Sequence, residues 1–224
     1  MRRLDSDLHT GDLFADQQDA VPGEQSLGDG AVILRGFVQD DVALLAALLD
    51  VTRVAPMRHM MTPGGFRMSV AMTNCGRLGW ISDASGYRYG PIDPQSRRPW
   101  PSMPDLFLTL AADAAKQAGY DGFVPDACLI NQYVPGARLT LHQDRDERTL
   151  DAPIVSVSLG IPAVFEFGGL ERTSHLARIP LAHRDVVVWG GPSRLRFHGV
   201  LPLKPAQHSL TGGMRYNLTF RQAG

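Results

Sequence analysis

The sequence predicts a mostly β protein of the α+β class, a sandwich or jelly roll preceded by two helices. Three observations carry that prediction. Seven short stretches after residue 126 have strand character and are parted by Gly and Pro turns. Two segments before them repeat their apolar residues at helical spacing. The 224 residues, 44% hydrophobic and 20% charged, suit one substantial core.

Residues 1 to 30 are acidic and without periodicity, so they read as a flexible lead from which Leu13 and Phe14 dock on the body. A strand follows over 31 to 37. Val42, Leu45, Leu48 and Leu49 mark a helix over 40 to 55, ended by Pro56. Thr62-Pro63-Gly64-Gly65 is a turn between 58 to 61 and 66 to 72, which predicts a hairpin. Residues 73 to 101, rich in Gly, Pro and aromatics, read as a long irregular loop. A second helix is predicted over 104 to 118, with Gly119 as its stop. Strands are then expected over 127–133, 139–142, 154–159, 163–167, 185–189, 195–200 and 215–221. The organisation is therefore a lead (1–30), an N-terminal extension (31–125) and a β core (126–224).

No apolar h-region follows Met1 to Asp5, and no stretch nears the roughly 18 apolar residues that span a bilayer. A cytoplasmic protein without membrane contact is expected, and a monomer is the simplest assembly. Cys75 and Cys128 are too few for a disulfide framework or a cysteine zinc cluster, so both should be reduced. The net charge of -1 is unevenly spread. Residues 1–50 hold ten acids against three arginines, whereas residues 51–100 hold seven arginines against Asp83 and Asp93. That basic block lies among Trp80, Tyr87, Tyr89 and Trp100, a mixture that suits a phosphate backbone with bases stacked on rings.

The candidate chemistry starts at His142 and Asp144, two residues apart on an alternating strand and so on one face. His198, on another short alternating segment, offers a third ligand. Two histidines and a carboxylate make the facial triad of non-haem Fe(II) oxygenases, which leaves positions open for a co-substrate and O2. The last strand alternates without a fault, with Arg215, Asn217, Thr219 and Arg221 on one face. A wet edge strand would explain that pattern. The alternative is a dicarboxylate held between the two guanidinium forks, which stand roughly 20 Å apart along the strand before their side chains reach inward. 2-Oxoglutarate is such a dicarboxylate, and its decarboxylation supplies the two electrons an oxygenase needs. Asn131 and Tyr133, on one strand face, could add hydrogen bonds.

Beyond these residues the chain resembles the AlkB family of Fe(II)- and 2-oxoglutarate-dependent nucleic-acid demethylases, its bacterial members above all. The resemblance rests on 62–65, 68–80, Pro91-Ile92-Asp93-Pro94-Gln95, 125–131, the triad strand through Asp146-Glu147, and 153–160, 186–193 and 215–224. It implies a double-stranded β-helix core with a nucleotide-recognition lid. It makes His142, Asp144 and His198 the Fe(II) ligands and gives Asn131, Tyr133, Arg215, Asn217 and Arg221 to 2-oxoglutarate. It makes Trp80 the partner on which the damaged base stacks. Tyr87, Arg88 and Tyr89 would meet phosphates, Asp146 the exocyclic amino group or the cationic base, and Thr62 and Arg172 would complete the pocket. Met72 and Leu139 would keep the surroundings apolar.

The activity so implied is oxidative dealkylation of 1-methyladenine and 3-methylcytosine in single-stranded DNA, with double-stranded DNA and RNA as further partners. It consumes Fe(II)-bound O2 and 2-oxoglutarate and releases succinate, CO2 and formaldehyde. Phe66 stands where the family's bacterial founding member has tyrosine, and the segment 207–214 and the acidic lead also depart from its pattern. The rival readings are the same oxygenase chemistry on a protein or small molecule, and a non-catalytic metal-binding jelly roll.

Overall fold

Residues 23–224 are described by the structure, a computed structural model. In chain order its elements are β1 (Gly23–Gly28), β2 (Ala31–Arg35), α1 (Asp41–Val54), β3 (Arg58–Met61), β4 (Arg67–Gly76), β5 (Gly79–Asp83), β6 (Gly86–Gly90) and α2 (Asp105–Gln117). There follow β7 (Ala127–Tyr133), β8 (Leu139–His142), β9 (Ile154–Gly160), β10 (Ala163–Phe167), β11 (Ala177–Leu181), β12 (Val186–Trp189), β13 (His198–Val200) and β14 (Arg215–Arg221). An eight-stranded sheet runs β1-β2-β12-β9-β14-β7-β4-β3, and a four-stranded sheet β11-β10-β13-β8 faces it, giving the expected jelly roll. The hairpin β5-β6 stands apart as a third, small sheet. Among the described residues no helix is long and apolar enough to cross a membrane.

Both helices cover the outer face of the large sheet. Asp40 caps α1 by accepting from the Ala43 amide at 2.8 Å, and Gly119, at φ +86°, follows the end of α2. Leu44, Leu48 and Val51 of α1 and Phe107, Ala111 and Ala114 of α2 pack on Val155, Val157, Tyr216, Leu218 and Phe220. Phe107 meets Phe220 edge to face, with ring centroids 5.9 Å apart. The buried face of α1 is therefore Leu44, Leu48 and Val51, with Leu45 packed beside them; of the row expected, Leu48 and Leu45 meet the core, whereas Val42 is 60% and Leu49 40% exposed. The run Ala43-Leu44-Leu45-Ala46-Ala47-Leu48-Leu49 is apolar on nearly every side, so its own pattern cannot choose the face.

On the inner face, Ala31, Ile33, Ile154, Val187 and Trp189 of the large sheet meet Phe165, Phe167, Ile179 and Leu181 of the small one. Strand β14 therefore has two interiors. Tyr216, Leu218 and Phe220 point to the helices, and Arg215, Asn217, Thr219 and Arg221 point between the sheets. It pairs with β7 on one side and β9 on the other, so the wet-edge explanation fails: every residue of β14 is buried.

Four local expectations need correction. The lead was expected to run to residue 30, but 23–28 form β1, turned back on β2 through Asp29-Gly30 with Gly30 at φ +72°. The remainder, with Leu13 and Phe14, lies outside the described residues. The segment 73–101 is not simply irregular: it holds the end of β4 and the β5-β6 hairpin. Strand β11 is an addition to the expected strands: Arg178 and Pro180 interrupt its apolar pattern, and the proline is tolerated because β11 is an edge strand. Strand β13 begins only at His198, because the Arg196 amide bonds back to Ser193 and the Phe197 amide to Gly169.

Gly160 ends β9 at φ +91°, where an added Cβ would lie 2.3 Å from the Met214 carbonyl oxygen and 2.4 Å from Thr211 Oγ1. Both neighbours belong to the chain leading into β14. Gly160→Ala should cost about 1–3 kcal/mol from backbone strain alone, read as a lower urea midpoint with unchanged slope; an unshifted midpoint would show that the backbone relaxes out of the strained conformation and the contact yields with it.

Candidate active site

Strands β8 and β13 are neighbours in the small sheet, with His142 directly opposite His198. The ring centroids lie 4.4 Å apart. Each Nδ1 lies against the carbonyl two residues earlier, Thr140 at 2.8 Å and Arg196 at 3.0 Å. As donors there, both rings carry the proton on Nδ1 and turn an Nε2 lone pair inward. Just past the end of β8, Asp144 brings Oδ1 to 3.6 Å from His142 Nε2 and Oδ2 to 3.8 Å from His198 Nε2. The three ligand atoms lie within 4.8 Å of one another, a separation one ion would bridge.

The electrostatics keep Asp144 and His198 deprotonated. Burial opposes the charge of Asp144, but the Arg221 guanidinium, followed by the two imidazoles, holds the carboxyl well below its ordinary range. Burial, with His142 beside it, pushes His198 down to about 4. A neutral imidazole and an ionised carboxylate are the forms that ligate a metal.

Above this cluster, between the two sheets, lies a cavity of about 920 Å³. Its wall includes Asn131 and Tyr133 of β7 and the polar face of β14. Arg215 is 1% exposed and donates from Nη2 to Ser158 Oγ at 2.7 Å, while its Nε and Nη1 find no partner among the described residues. Burial lowers this guanidinium to about 10, so it is charged at neutral pH, and raises the neighbouring Tyr133 phenol to about 12. A buried cation with two unanswered N–H groups is costly alone and fits a carboxylate. The orphaned donors therefore fit 2-oxoglutarate.

Of the other predicted co-substrate residues, Asn217 and Arg221 have partners already, whereas Asn131 Oδ1 finds none among the described residues. Asn217 donates from Nδ2 to Ser156 Oγ (2.8 Å) and the Val157 carbonyl (3.0 Å). Its Oδ1 accepts from Thr219 and Asn131. Arg221 donates to Asp144 Oδ2 from Nε at 3.0 Å and from Nη2. Ser156 and Ser158 join the site beyond the sequence expectation; two serines alternating with Val155, Val157 and Leu159 on β9 are the sequence sign of a polar inner face.

At the mouth of the cavity lie Thr62, Trp80, Tyr87, Asp146 and Arg172. Thr62 Oγ1 accepts from the Phe66 amide at 3.1 Å within the β3-β4 turn. Asn74 clamps Trp80 by accepting from its amide at 2.9 Å and donating to its carbonyl at 3.0 Å. A Cβ on Gly79 would fall 2.4 Å from the Trp100 ring, so only glycine fits before Trp80. Trp80 lies parallel to Tyr87 at 5.5 Å and donates from Nε1 to Asp146 Oδ2 at 2.9 Å. Arg172 rests 5.2 Å above Phe197. Met72 and Leu139 also line the cavity.

Two predicted residues are not brought to the cavity. Arg88 forms a two-pronged pair with Asp83 at 2.9 and 2.7 Å, and Tyr89 turns its hydroxyl inward to donate to Glu147 at 3.0 Å.

This arrangement agrees with what the chain is similar to. Residues 30–221 match the 2OG-Fe(II) oxygenase superfamily, and the chain is an Fe(II)- and 2-oxoglutarate-dependent dioxygenase using O2. It is 59% identical to the alpha-ketoglutarate-dependent dioxygenase AlkB of Escherichia coli (strain K12), over 95% of this chain and 98% of that one. The AlkB homolog of Caulobacter vibrioides is 47% identical, over 91% and 95%. The solved structure of OsALKBH1 superposes with a TM-score of 0.80 at 28% identity, covering 89% of this chain and 100% of that one. The chain belongs to the AlkB family.

Arg221 lies between Asp144 and Glu147, 3.0 Å from Asp144 Oδ2 and 3.3 Å from Glu147 Oε1, with its side chain 7% exposed. Arg221→Ala leaves both carboxylates buried and short of a counter-charge, so stability should fall by about 3–5 kcal/mol. Urea unfolding of the metal-free protein measures it; a loss below about 1 kcal/mol, the range of exposed pairs, would mean the charges are screened by solvent.

Proposed function

We propose that this protein restores N-alkylated bases, 1-methyladenine and 3-methylcytosine, in single-stranded DNA, with double-stranded DNA and RNA as lesser substrates. The observation that carries the reading is one cavity with the His142, Asp144 and His198 cluster, a buried and half-unpaired Arg215, and Trp80 with Tyr87 at its mouth. The names of the relatives support it, since they include an E. coli dioxygenase AlkB and a tRNA demethylase of Schizosaccharomyces pombe. We place the reaction in the cytoplasm, carried out by a monomer.

His142, Asp144 and His198 would hold Fe(II), and Arg215 would pair with the distal carboxylate of 2-oxoglutarate, with Tyr133 and Asn131 beside it. When bound, Fe(II), O2 and 2-oxoglutarate supply the hydroxylation of an N-methyl carbon, with succinate and CO2 as by-products. The hydroxymethyl group then leaves as formaldehyde. The protein's part is positioning. A methylated base must leave its stack to reach so enclosed a site, and Trp80 and Tyr87 offer it aromatic faces. Asp146, fixed by Trp80, puts a carboxylate beside a base that carries positive charge when methylated. Met72 and Leu139 surround the reacting carbon with groups that bring no competing polar partner.

A single-stranded oligonucleotide carrying 3-methylcytosine, incubated with Fe(II), ascorbate and 2-oxoglutarate, should lose the mass of one methylene and release formaldehyde. His142→Ala should abolish this while oligonucleotide binding persists. Succinate formed equally with methylated DNA, methylated RNA and no nucleic acid would reject the repair reading.

Arg215→Ala should raise the KM for 2-oxoglutarate by about 100-fold or more, since it removes two charge-assisted hydrogen bonds of about 1.5–3 kcal/mol each. The KM for oligonucleotide should stay near wild type. Equal effects on both would mean that Arg215 does not meet the co-substrate.

A further inference from the structure

The lid hairpin is held by two consecutive acids that follow candidate ligand Asp144. Trp80 on β5 and Tyr89 on β6 are directly opposite each other across the hairpin, hence on one face of it. Trp80 donates to Asp146 Oδ2 at 2.9 Å, and Tyr89 donates to Glu147 Oε1 at 3.0 Å. Asp146 is exposed, whereas the Glu147 side chain is 1% exposed.

Glu147 has two cations against it, Arg194 at 3.0 Å and Arg221 at 3.3 Å, with side chains 4% and 7% exposed. Both cations also hold Asp144. Arg221 bonds its Oδ2, and Arg194 Nη1 donates to its backbone carbonyl at 2.7 Å. Two arginines thus answer two carboxylates, and the position of Glu147 decides how Arg221 is shared. Tyr89, Glu147 and Arg194 do not line the cavity, so they act through Arg221 and through the Asp144 backbone. Burial, opposed by Arg221 and reinforced by Glu147, raises the Tyr89 phenol well above its ordinary range, so it keeps the proton it donates.

We propose that Tyr89 and Glu147 are positioning residues that tie the β5-β6 hairpin through Arg221 and Arg194 to the metal ligand Asp144, so that nucleic-acid binding and metal binding strengthen each other. This rests on the reading of the site as an iron centre beneath a nucleic-acid lid. Such coupling is reciprocal: the factor by which oligonucleotide tightens metal binding equals the factor by which metal tightens oligonucleotide binding.

The test titrates Co(II) alone into the metal-free protein by its visible absorption, with and without a single-stranded 3-methylcytosine oligonucleotide. In wild type the oligonucleotide should tighten Co(II) binding by about 5-fold or more, the lower end of typical couplings. Tyr89→Phe keeps the ring and removes one hydrogen bond, and should bring the factor to within about 2-fold of unity. Glu147→Gln keeps the shape and removes the charge, and should weaken Co(II) itself by about 10–100-fold, as lost outer partners do.

If wild type does not bind Co(II), the ligand assignment fails, and this proposal with it. If wild type binds both Co(II) and oligonucleotide but without coupling, or if Tyr89→Phe keeps the wild-type factor, the proposal alone is overturned. Should Glu147→Gln not fold, Tyr89→Phe still decides the matter.

Discussion

Arg221 is a charge that the fold has enclosed, and the rest of the site follows from how that charge is answered. A lone buried guanidinium would be strongly destabilising, so carboxylates must come to it. Asp144 and Glu147 do, from a coil after β8, and their arrival fixes where that coil runs. Once Asp144 is drawn to Arg221, one of its oxygens stays turned towards His142. The carboxylate is then ionised and oriented before any cation arrives, so little reorganisation is left for binding. Arg194 completes the balance by supplying a second cation to Glu147 and closing the chain from Ala152 onto Asp144.

Enclosing the charge is possible because β14 has two interiors. Its apolar face is covered by α1 and α2, and that burial, at about 1.5–3 kcal/mol for each large apolar side chain, secures the strand in mid-sheet. The opposite face is then free to be polar at no cost to the core that anchors it. Serines 156 and 158 on β9 and Asn131 on β7 extend this polar surface sideways. The result is a hydrogen-bonded floor left open, among the described residues, at the unpaired edge of Arg215 and at Asn131 Oδ1.

Much of this could be read from residue order. The alternation 215–221 located the polar face, and the spacing of His142 and Asp144 located the cluster. What could not be read was whether that face was wet, because alternation is the same for an edge strand and for one between two cores. Burial of Glu147 and Arg194 was invisible for a related reason: charged residues in coil look like solvated surface until a partner from far along the chain meets them. Tyr89 alternates with Arg88 in a basic, aromatic segment and so read as a phosphate contact, but hairpin pairing with Trp80 turns it inward. Strand β1 had a signal, Asp29-Gly30, that was outweighed by the polar character of Gly23–Gly28, an edge strand in water. The phase of α1 was undecidable because its sequence is apolar on too many sides and the sheet made the choice.

The three sheets divide the work, and their division explains why one short segment matters so much. The small sheet fixes both histidines in register, each ring aimed by a carbonyl two residues behind it. The large sheet supplies Arg215 and the polar floor, and the β5-β6 hairpin supplies the aromatic mouth. Among the described residues no strand pairing joins that hairpin to either of the other two. Residues 142–147 touch all three: His142 ends a strand of the small sheet, Asp144 and Glu147 answer Arg221 of the large one, and Asp146 and Glu147 hold Trp80 and Tyr89. A shift of one residue in this segment would misplace a candidate ligand, a counter-charge and a hairpin contact together, so its geometry is set by three independent constraints rather than by the His142, Asp144 and His198 cluster alone.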